Sequence, residues 1–478
     1  MKILMAGAES VPFASSGGLG DVMGSLPVAV KKIMTEDDDI RVVLPLYEIT
    51  KEKFGKKLTF VKKINVKLAW RNQYCGIFQY IHNNVIYYFI DNEYYFRRKE
   101  LYGCFDDGER FAFFSKAILE IMKALDYYPD ILHANDWHTA LSVVYLKCIY
   151  SYQKEYKNIK ALYTIHNIDY QGIFDFSLYE DIFDLECCDR SIFDFDGNIN
   201  LTKAAIVCAD MVSTVSENYA KEIKYEYFSG RLNYILNMYS SKICGILNGI
   251  DTDYYNPSKD KTIAKKFDFK HLKNKAICKQ DLQRICGLKE DPDVPIIAVV
   301  SRLASHKGFD LIKRVFDDIV YEKVQFVLLG TGEEDYENFF RYQKSRNLEN
   351  VSINLAFDKD FAKKIYAGAD IFLMPSKSEP CGLSQMIASV YGTVPVVHEV
   401  GGLYDSIKPY NEYTGEGNGF TFKNYNAHEM LNLIRYVLSI YADQEKWRKL
   451  IKNVMNVDFS WTKSAEKYMD LYEKIKNM

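Results

Sequence analysis

The 478-residue chain lacks an apolar run long enough to cross a bilayer. Segments such as PIIAVV at 295–300 fall far short of the roughly 20 residues that a membrane helix needs. It also lacks a Lys/Arg-rich block, and its formal net charge is −3, so nothing biases it toward nucleic acid or an anionic membrane. The apolar stretch after Lys2 is broken at once by Glu9, Ser10 and Pro12, which argues against a signal peptide. Among ten cysteines there is no CxxC pair, and the adjacent Cys187 and Cys188 could bridge only with strain. The thiols therefore read as reduced, mostly small core residues of a cytoplasmic protein. There is no short internal repeat and no low-complexity segment. What is abundant is hydrophobic sequence, 48% of the chain, enough for a large core in two or three domains. Tyrosine (37) and phenylalanine (29) are plentiful, which suits core packing and leaves open a role against sugar faces.

Short apolar, β-branched segments alternate with longer helical patterns. KILMAGAE, IRVVLPL, VIYYFID, ILHAND, ALYTIHN and MVSTVS read as strands in the first half. ICGILNG, PIIAVVSRL, VQFVLLG, IFLMPS and VPVVHEV do so in the second. Helical patterns follow most of them, including GERFAFFSKAILEIMKAL and DLIKRVFDDIV. This alternation predicts parallel sheets covered by helices on both faces. The series restarts near Ile246, where turn residues and charge cluster around NGIDTDYYNPSKD. The expected fold class is α/β, with two doubly wound, Rossmann-like domains, 1–245 and 246–455. Ligands of such sheets bind outside the strands' C-terminal ends, so the loops there carry the chemistry.

The first of these loops is PFASSGGLGDV, 12–22. Glycines let backbone amides approach a ligand, and the following helix adds partial positive charge. A dinucleotide fingerprint needs G-x-G-x-x-G; with Gly18, Gly20 and Gly24 the third glycine comes one place late. A plain tight turn and an anion-binding turn both remain open. The second loop, SRLASHKGFDL, carries Arg302 and Lys307, a fork and a point charge of the kind a diphosphate requires, although a solvated loop fits the same residues. The third, PSKSEPCGLSQ, carries Glu379, which suits sugar hydroxyls or helix capping and repels phosphate unless the anion lies over the amides of Gly382 and Leu383. HEVGGLYDS repeats Gly-Gly-Leu after another strand. HANDWH offers His133, Asp136 and His138, and TIHNIDYQGIF offers His166 and Asn167. No third ligand stands at metal spacing, so the histidines read as core, capping or sugar-site groups, with zinc the sharp alternative.

GGLGDV, HANDWH, TIHNIDYQGIF, NLTKAAIVCADMVSTVS, GILNGIDTDYYNP, SRLASHKG, PSKSEPCGLSQ and DFSWTKSAEKY occur in that order. Together they resemble the bacterial glycogen synthase and plant starch synthase family across essentially all of residues 1–478, with GILNGID and EPCGL the most specific elements. The resemblance implies a GT-B fold whose two domains face each other across a cleft, with residues 456–478 forming a helix that crosses back to the N-terminal domain. It implies retaining transfer of glucose from ADP-glucose to the non-reducing 4-hydroxyl of an α-1,4-glucan, with no metal and no cofactor. By motif, Arg302 and Lys307 bind the donor diphosphate. Glu379 contacts the transferred glucose, beside the backbone of Cys381, Gly382 and Leu383. His166 lies against the reacting glucose with its carbonyl toward the anomeric carbon, flanked by Asn167, and Asp136 sits close to sugar and acceptor. Asn248 belongs to the hinge side, Phe357 to the adenine and Tyr102 to the glucose side. Ser15, Gly17, Gly18, Leu19 and Asp21 of the first loop complete the substrate set.

The chain departs from the family where Lys-x-Gly-Gly-Leu is usual and Ser15-Ser-Gly-Gly-Leu stands instead. Lys377 and Ser378 replace a common Arg-Phe, and His398 and Val400 replace a common Arg and Thr. The loss of the loop cation leaves Arg302 and Lys307 as the source of positive charge. The alternative function is a weak or inactive paralogue that binds glucan or nucleotide sugar and regulates an active synthase.

Overall fold

The computed structural model describes residues 1–478 and divides into two units, Met1–Asn248 with Trp461–Met478, and Gly249–Ser460. The division falls a few residues beyond the boundaries expected from sequence. Ile246 still belongs to the first unit because its amide continues the sheet, donating to the Thr214 carbonyl at 2.8 Å, and its side chain enters that core. Residues up to Ser460 stay with the second unit because Ile250 pairs with Ser460 and donates to the Phe459 carbonyl.

The first unit is built on a nine-stranded sheet of β1 (Lys2–Ala6), β2 (Asp39–Pro45), β3 (Thr59–Leu68), β4 (Arg71–His82), β5 (Val85–Asp91), β6 (Ile131–Asn135), β7 (Lys160–Ile165), β11 (Met211–Thr214) and β12 (Ile243–Gly245). Between β7 and β11 lies a small antiparallel sheet of β8 (Ile173–Asp175), β9 (Asp194–Phe195) and β10 (Asn198–Asn200). The large sheet runs β12-β11-β7-β6-β1-β2-β5-β4-β3. Its central strands are parallel and buried on both faces, which is why KILMA, VVLP and ILHAN read as continuous apolar runs. The antiparallel β3–β4 edge, joined to β5, is absent from the sequence expectation of purely parallel sheets. Its outer strand TFVKKINVKL is mostly exposed, buries Val66 and Leu68, and blunts its edge with lysines.

The second unit carries a six-stranded, wholly parallel sheet, ordered β15 (Val351–Asn354), β14 (Gln325–Leu329), β13 (Ile296–Val300), β16 (Ile371–Met374), β17 (Val394–His398) and β18 (Phe420–Phe422). The expected helix 310–320 is two helices, Phe309–Arg314 and Phe316–Tyr321, because buried Val315 leaves helical geometry between them. The final helix, Trp461–Lys476, is part of the first unit. Its Trp461, Tyr468, Tyr472 and Ile475 share a core with Leu19, Val22, Met23 and Leu26 of the helix Gly18–Ile33. No helix is long and apolar enough to cross a membrane.

Among the parallel strands of each large sheet, chain order reverses at one point: between β1 and β6 in the first unit and between β13 and β16 in the second. Ligands of doubly wound sheets bind at such points. The loops leaving these four strands contain Ser15, Asp136, Arg302, Lys307 and Glu379.

Candidate active site

In the second unit the strand-end loops are sewn together by backbone. The His306 carbonyl accepts from the Lys377 amide at 2.9 Å. Gly308 has φ of +78°, and a Cβ there would lie 1.9 Å from the Pro375 carbonyl oxygen, so only glycine allows the two loops to meet. Gly402 donates to the Glu379 carbonyl at 3.1 Å, and a Cβ on Gly401 would fall 2.1 Å from that same oxygen. The repeated Gly-Gly-Leu of HEVGGLYDS is thus a packing surface for the Glu379 turn.

This stitching brings Lys307 to Glu379, with Nζ to Oε2 at 2.6 Å, both side chains largely buried. The Ser376 hydroxyl donates to the same carboxylate oxygen at 3.0 Å. Arg302, by contrast, is exposed and has no carboxylate partner. Cys381 is buried and Gly382 takes φ of +71° ahead of the short helix Ser384–Val390. Gln385 has its amide donor satisfied by the Cys381 and Gly382 carbonyls, but its Oε1 is buried without a partner. His398 is a structural post: its ring bridges the Ser376 and Lys423 carbonyls and stacks on Phe422. Phe357 lies in the loop after β15 with its ring 83% exposed.

In the first unit Asp136 caps the helix Trp137–Tyr145 with φ 57° and ψ 175°, a region that costs a non-glycine residue about 1–3 kcal/mol. Its carboxylate accepts the His166 amide at 2.8 Å and also the Asn167 amide. Burial pushes this carboxyl up to about 7, against the downward pull of those two amides. The His166 ring meets Asn135 Oδ1 at 2.9 Å, and burial pushes it down to about 3, so it is neutral at physiological pH. Asn167 closes a tight turn on the Asp169 amide. His133 is a core histidine, held by Tyr472 at 2.8 Å and Thr164 at 2.6 Å. His138 is buried between Trp137, Tyr102 and Phe111, with Nδ1 unpartnered. The Tyr102 hydroxyl, like that of Tyr47, is buried without a partner. Buried polar atoms of this kind mark places for water or ligand. Asn248 Oδ1 is another.

The glycine-rich loop is organised by a residue that sequence reasoning passed over. Glu9, 3% exposed, accepts from the Ser16 amide, from the Ser16 hydroxyl at 2.8 Å and from the Gly20 amide at 3.2 Å. Burial raises its pKa while those donors lower it. The loop's anion is therefore the protein's own carboxylate. Gly20 and Gly24 are required for packing: Cβ atoms there would lie 2.2 Å from Ser15 Oγ and 2.5 Å from the Val11 carbonyl oxygen. Ser15 is exposed and donates to the Gly17 carbonyl at 3.3 Å; Gly17 and Gly18 are exposed as well, and Leu19 turns its side chain into the core. With Glu9 inside the loop and Asp21 in the first helical turn, the site suits neutral hydroxyls better than a phosphate. The missing signal was available: a glutamate just after a buried strand, with no cation in the loop to pair it.

Cys104, Asp106 and Asp107 hold ligand atoms within 4.8 Å of one another. Both carboxylates are already engaged, Asp106 by Arg98 at 2.6 Å and Asp107 by Arg110 at 2.6 Å, so the group is a charge-paired loop and a poor cation site.

Two Rossmann-like units, one with paired cation and carboxylate at its sheet reversal and the other with a buried Asp–His set at its own, define a GT-B glycosyltransferase. Residues 2–238 match the starch synthase catalytic domain family and residues 286–454 match the glycosyl transferases group 1 family. The chain is 46% identical over 477 residues to a glycogen synthase of Bacillus cereus, covering 99% of this chain and 100% of the relative. It is 45% identical over 480 residues to one of Clostridium beijerinckii, covering 99% of each. It superposes with TM-score 0.89 and 30% identity on the catalytic domain of starch synthase IV from Arabidopsis thaliana bound to ADP and acarbose, over 100% of this chain and 99% of that one. A sucrose-phosphate synthase from Thermosynechococcus elongatus, at 16% identity and TM-score 0.61, shares the fold. The chain belongs to the glycogen synthase and starch synthase family. Its activity is glucosyl transfer from a nucleotide sugar to a growing α-glucan.

Proposed function

We propose that the donor is ADP-glucose and the acceptor the non-reducing 4-hydroxyl of an α-1,4-glucan, in the cytoplasm. Arg302 and Lys307 take the diphosphate, the exposed ring of Phe357 takes the adenine, and Glu379 orients the transferred glucose beside the Cys381–Leu383 backbone. Asp136 fixes the His166–Asn167 segment through their amides, with the neutral His166 against the sugar. Tyr102, Asn248, Asp21 and the exposed backbone of Ser15, Gly17, Gly18 and Leu19 serve the sugar and acceptor. Breaking the glucosyl–phosphate bond builds positive charge on the sugar and negative charge on the departing diphosphate; fixed cations and amides favour the second. The leaving phosphate oxygen takes the acceptor proton on the same face, so the anomeric configuration is retained.

The observation that carries this reading is the Lys307–Glu379 pair at the sheet reversal, which sets a phosphate cation and a sugar-hydroxyl acceptor 2.6 Å apart. ADP-glucose ends in the same juxtaposition of diphosphate and glucose. The test is a competition assay with glycogen and equal ADP-glucose and UDP-glucose, scoring nucleotide release and chain growth. Preferential ADP release with elongation supports the reading. Preferential UDP release overturns the donor assignment, and glycogen binding without elongation favours a regulatory, non-catalytic relative.

A further inference from the structure

Tyr102 belongs to no helix or strand. It lies among residues 97–106, an irregular stretch between the helices Glu93–Phe96 and Asp107–Ala124. Its ring centroid is 4.5 Å from that of His138 and 6.2 Å from that of Phe111. His138 in turn stacks on Trp137 at 4.1 Å, in the first turn of the helix that Asp136 caps. The ring is committed to this packing, so the hydroxyl, buried with no partner, is what the residue offers to a ligand. An irregular stretch is free to take many conformations, and a side chain on it is placed only as well as its backbone is pinned.

The pin is a buried guanidinium working through a carboxylate. Arg110 is 0% exposed and reaches both ends of the stretch. Its Nε donates to the Tyr95 carbonyl at 2.8 Å, just before the stretch begins, and its Nη1 donates to Asp107 Oδ1 at 2.6 Å, just after it ends. Asp107 turns its other oxygen inward, where Oδ2 accepts the Gly103 amide at 2.7 Å. Gly103 takes φ of +84° and a Cβ there meets nothing, so what glycine supplies is the left-handed turn that aims this amide at Asp107. A second fork runs in parallel: Arg98 Nη2 donates to Asp106 Oδ2 at 2.6 Å and to the Tyr94 carbonyl at 3.0 Å. Burying a guanidinium is only partly offset by pairing it, and an apolar side chain would often serve stability as well. The geometry that the pair fixes accounts for it better than stability does.

We propose that Asp107, held by Arg110, is a positioning residue of the glucosyl transfer. The inference rests on the reading of Tyr102 as a residue of the glucose side. Asp107 does not touch the sugar. It fixes the Gly103 amide, and with it the backbone that carries Tyr102, so that the Tyr102 hydroxyl stands beside the Asp136 helix terminus when the sugar arrives. Both of its oxygens are needed, one for Arg110 and one for Gly103. The near-isosteric Asp107→Asn keeps one acceptor and turns the other into a donor, which faces an N–H of Arg110 or of Gly103; one link breaks at unchanged volume.

The test is steady-state kinetics of the full chain with ADP-glucose and glycogen, on wild type, Asp107→Asn, Tyr102→Phe and the double variant, with inhibition by ADP and a melting curve for each. Asp107→Asn is expected to lower kcat about tenfold, the effect of a misplaced group. Inhibition by ADP is expected to stay unchanged, since no residue assigned to the diphosphate is touched. In Tyr102→Phe the hydroxyl is already gone, so adding Asp107→Asn lowers kcat no further. A merely loosened fold would lower kcat equally in both backgrounds. Equal loss in both, or wild-type kcat in Asp107→Asn, overturns the role of Asp107 and leaves Tyr102 in its place. Wild-type kcat in Tyr102→Phe overturns the reading of Tyr102 and the role of Asp107 with it, and absence of turnover by wild type overturns the functional reading on which both rest.

Discussion

Lys307 Nζ lies 2.6 Å from Glu379 Oε2, joining by an ion pair two side chains separated by 71 intervening residues. The carboxylate therefore neutralises a cation that the proposed function assigns to the donor diphosphate, whereas Arg302 is exposed with no carboxylate partner. Glu379→Gln should uncouple the two roles. The free ammonium binds ADP about tenfold more tightly, while turnover falls by about a hundredfold because the acceptor for the sugar hydroxyl is weakened. Product-inhibition kinetics by ADP give both numbers. Weaker ADP binding in this variant contradicts the assignment of Lys307 to phosphate.

Glu9 replaces a bound anion inside the glycine-rich loop. Glu9→Ala leaves the Ser16 and Gly20 amides without their acceptor, which costs about 1–3 kcal/mol of stability in urea or thermal unfolding. Glu9→Gln keeps one acceptor oxygen and loses less. Equal stability of Glu9→Ala and wild type contradicts the role assigned to this carboxylate.

The glycines separate into two groups. Gly308→Ala forces a Cβ to 1.9 Å from the Pro375 carbonyl at φ +78°, so it lowers the melting temperature and raises the donor KM by displacing Lys307. Gly18→Ala meets open space and leaves the fold intact. Melting curves of the two variants side by side check the contrast.

Asp136, with its carboxyl at about 7, predicts opposite pH trends for activity and stability. Ionised Asp136 accepts the His166 and Asn167 amides more strongly, so kcat/KM rises with pH through about 7 and falls on acidification. For stability the sign reverses. A carboxyl raised above its ordinary value of 3.8 holds its proton more tightly in the folded chain, so its contribution is complete below that value and is lost as pH rises through about 7. His166, at about 3, adds no ionisation in this range. In Asp136→Asn both trends near pH 7 disappear; their persistence assigns them to another group.

The parts of the site that sequence made legible are those where an apolar strand ends in a loop of unusual chemistry. Arg302, Lys307 and Glu379 stood out because cations and a carboxylate follow buried β-branched runs, and their spacing from β13 and β16 fixed which sheet end they occupy. Glu9 escaped because two of its three donors are backbone amides, which carry no residue identity. The β3–β4 edge escaped because KKINVKL alternates lysine with single apolar residues and has no buried run to announce it. The split at Val315 is invisible to periodicity, since the residues on either side still face one core.

The central claim is that Arg302 and Lys307 grip the donor diphosphate. Calorimetric titration of ADP into the wild-type chain, Arg302→Ala and Lys307→Ala tests it most directly. The account predicts that each substitution weakens binding by about 10- to 100-fold, the value of one charged hydrogen bond. ADP affinity unchanged in both variants would contradict it.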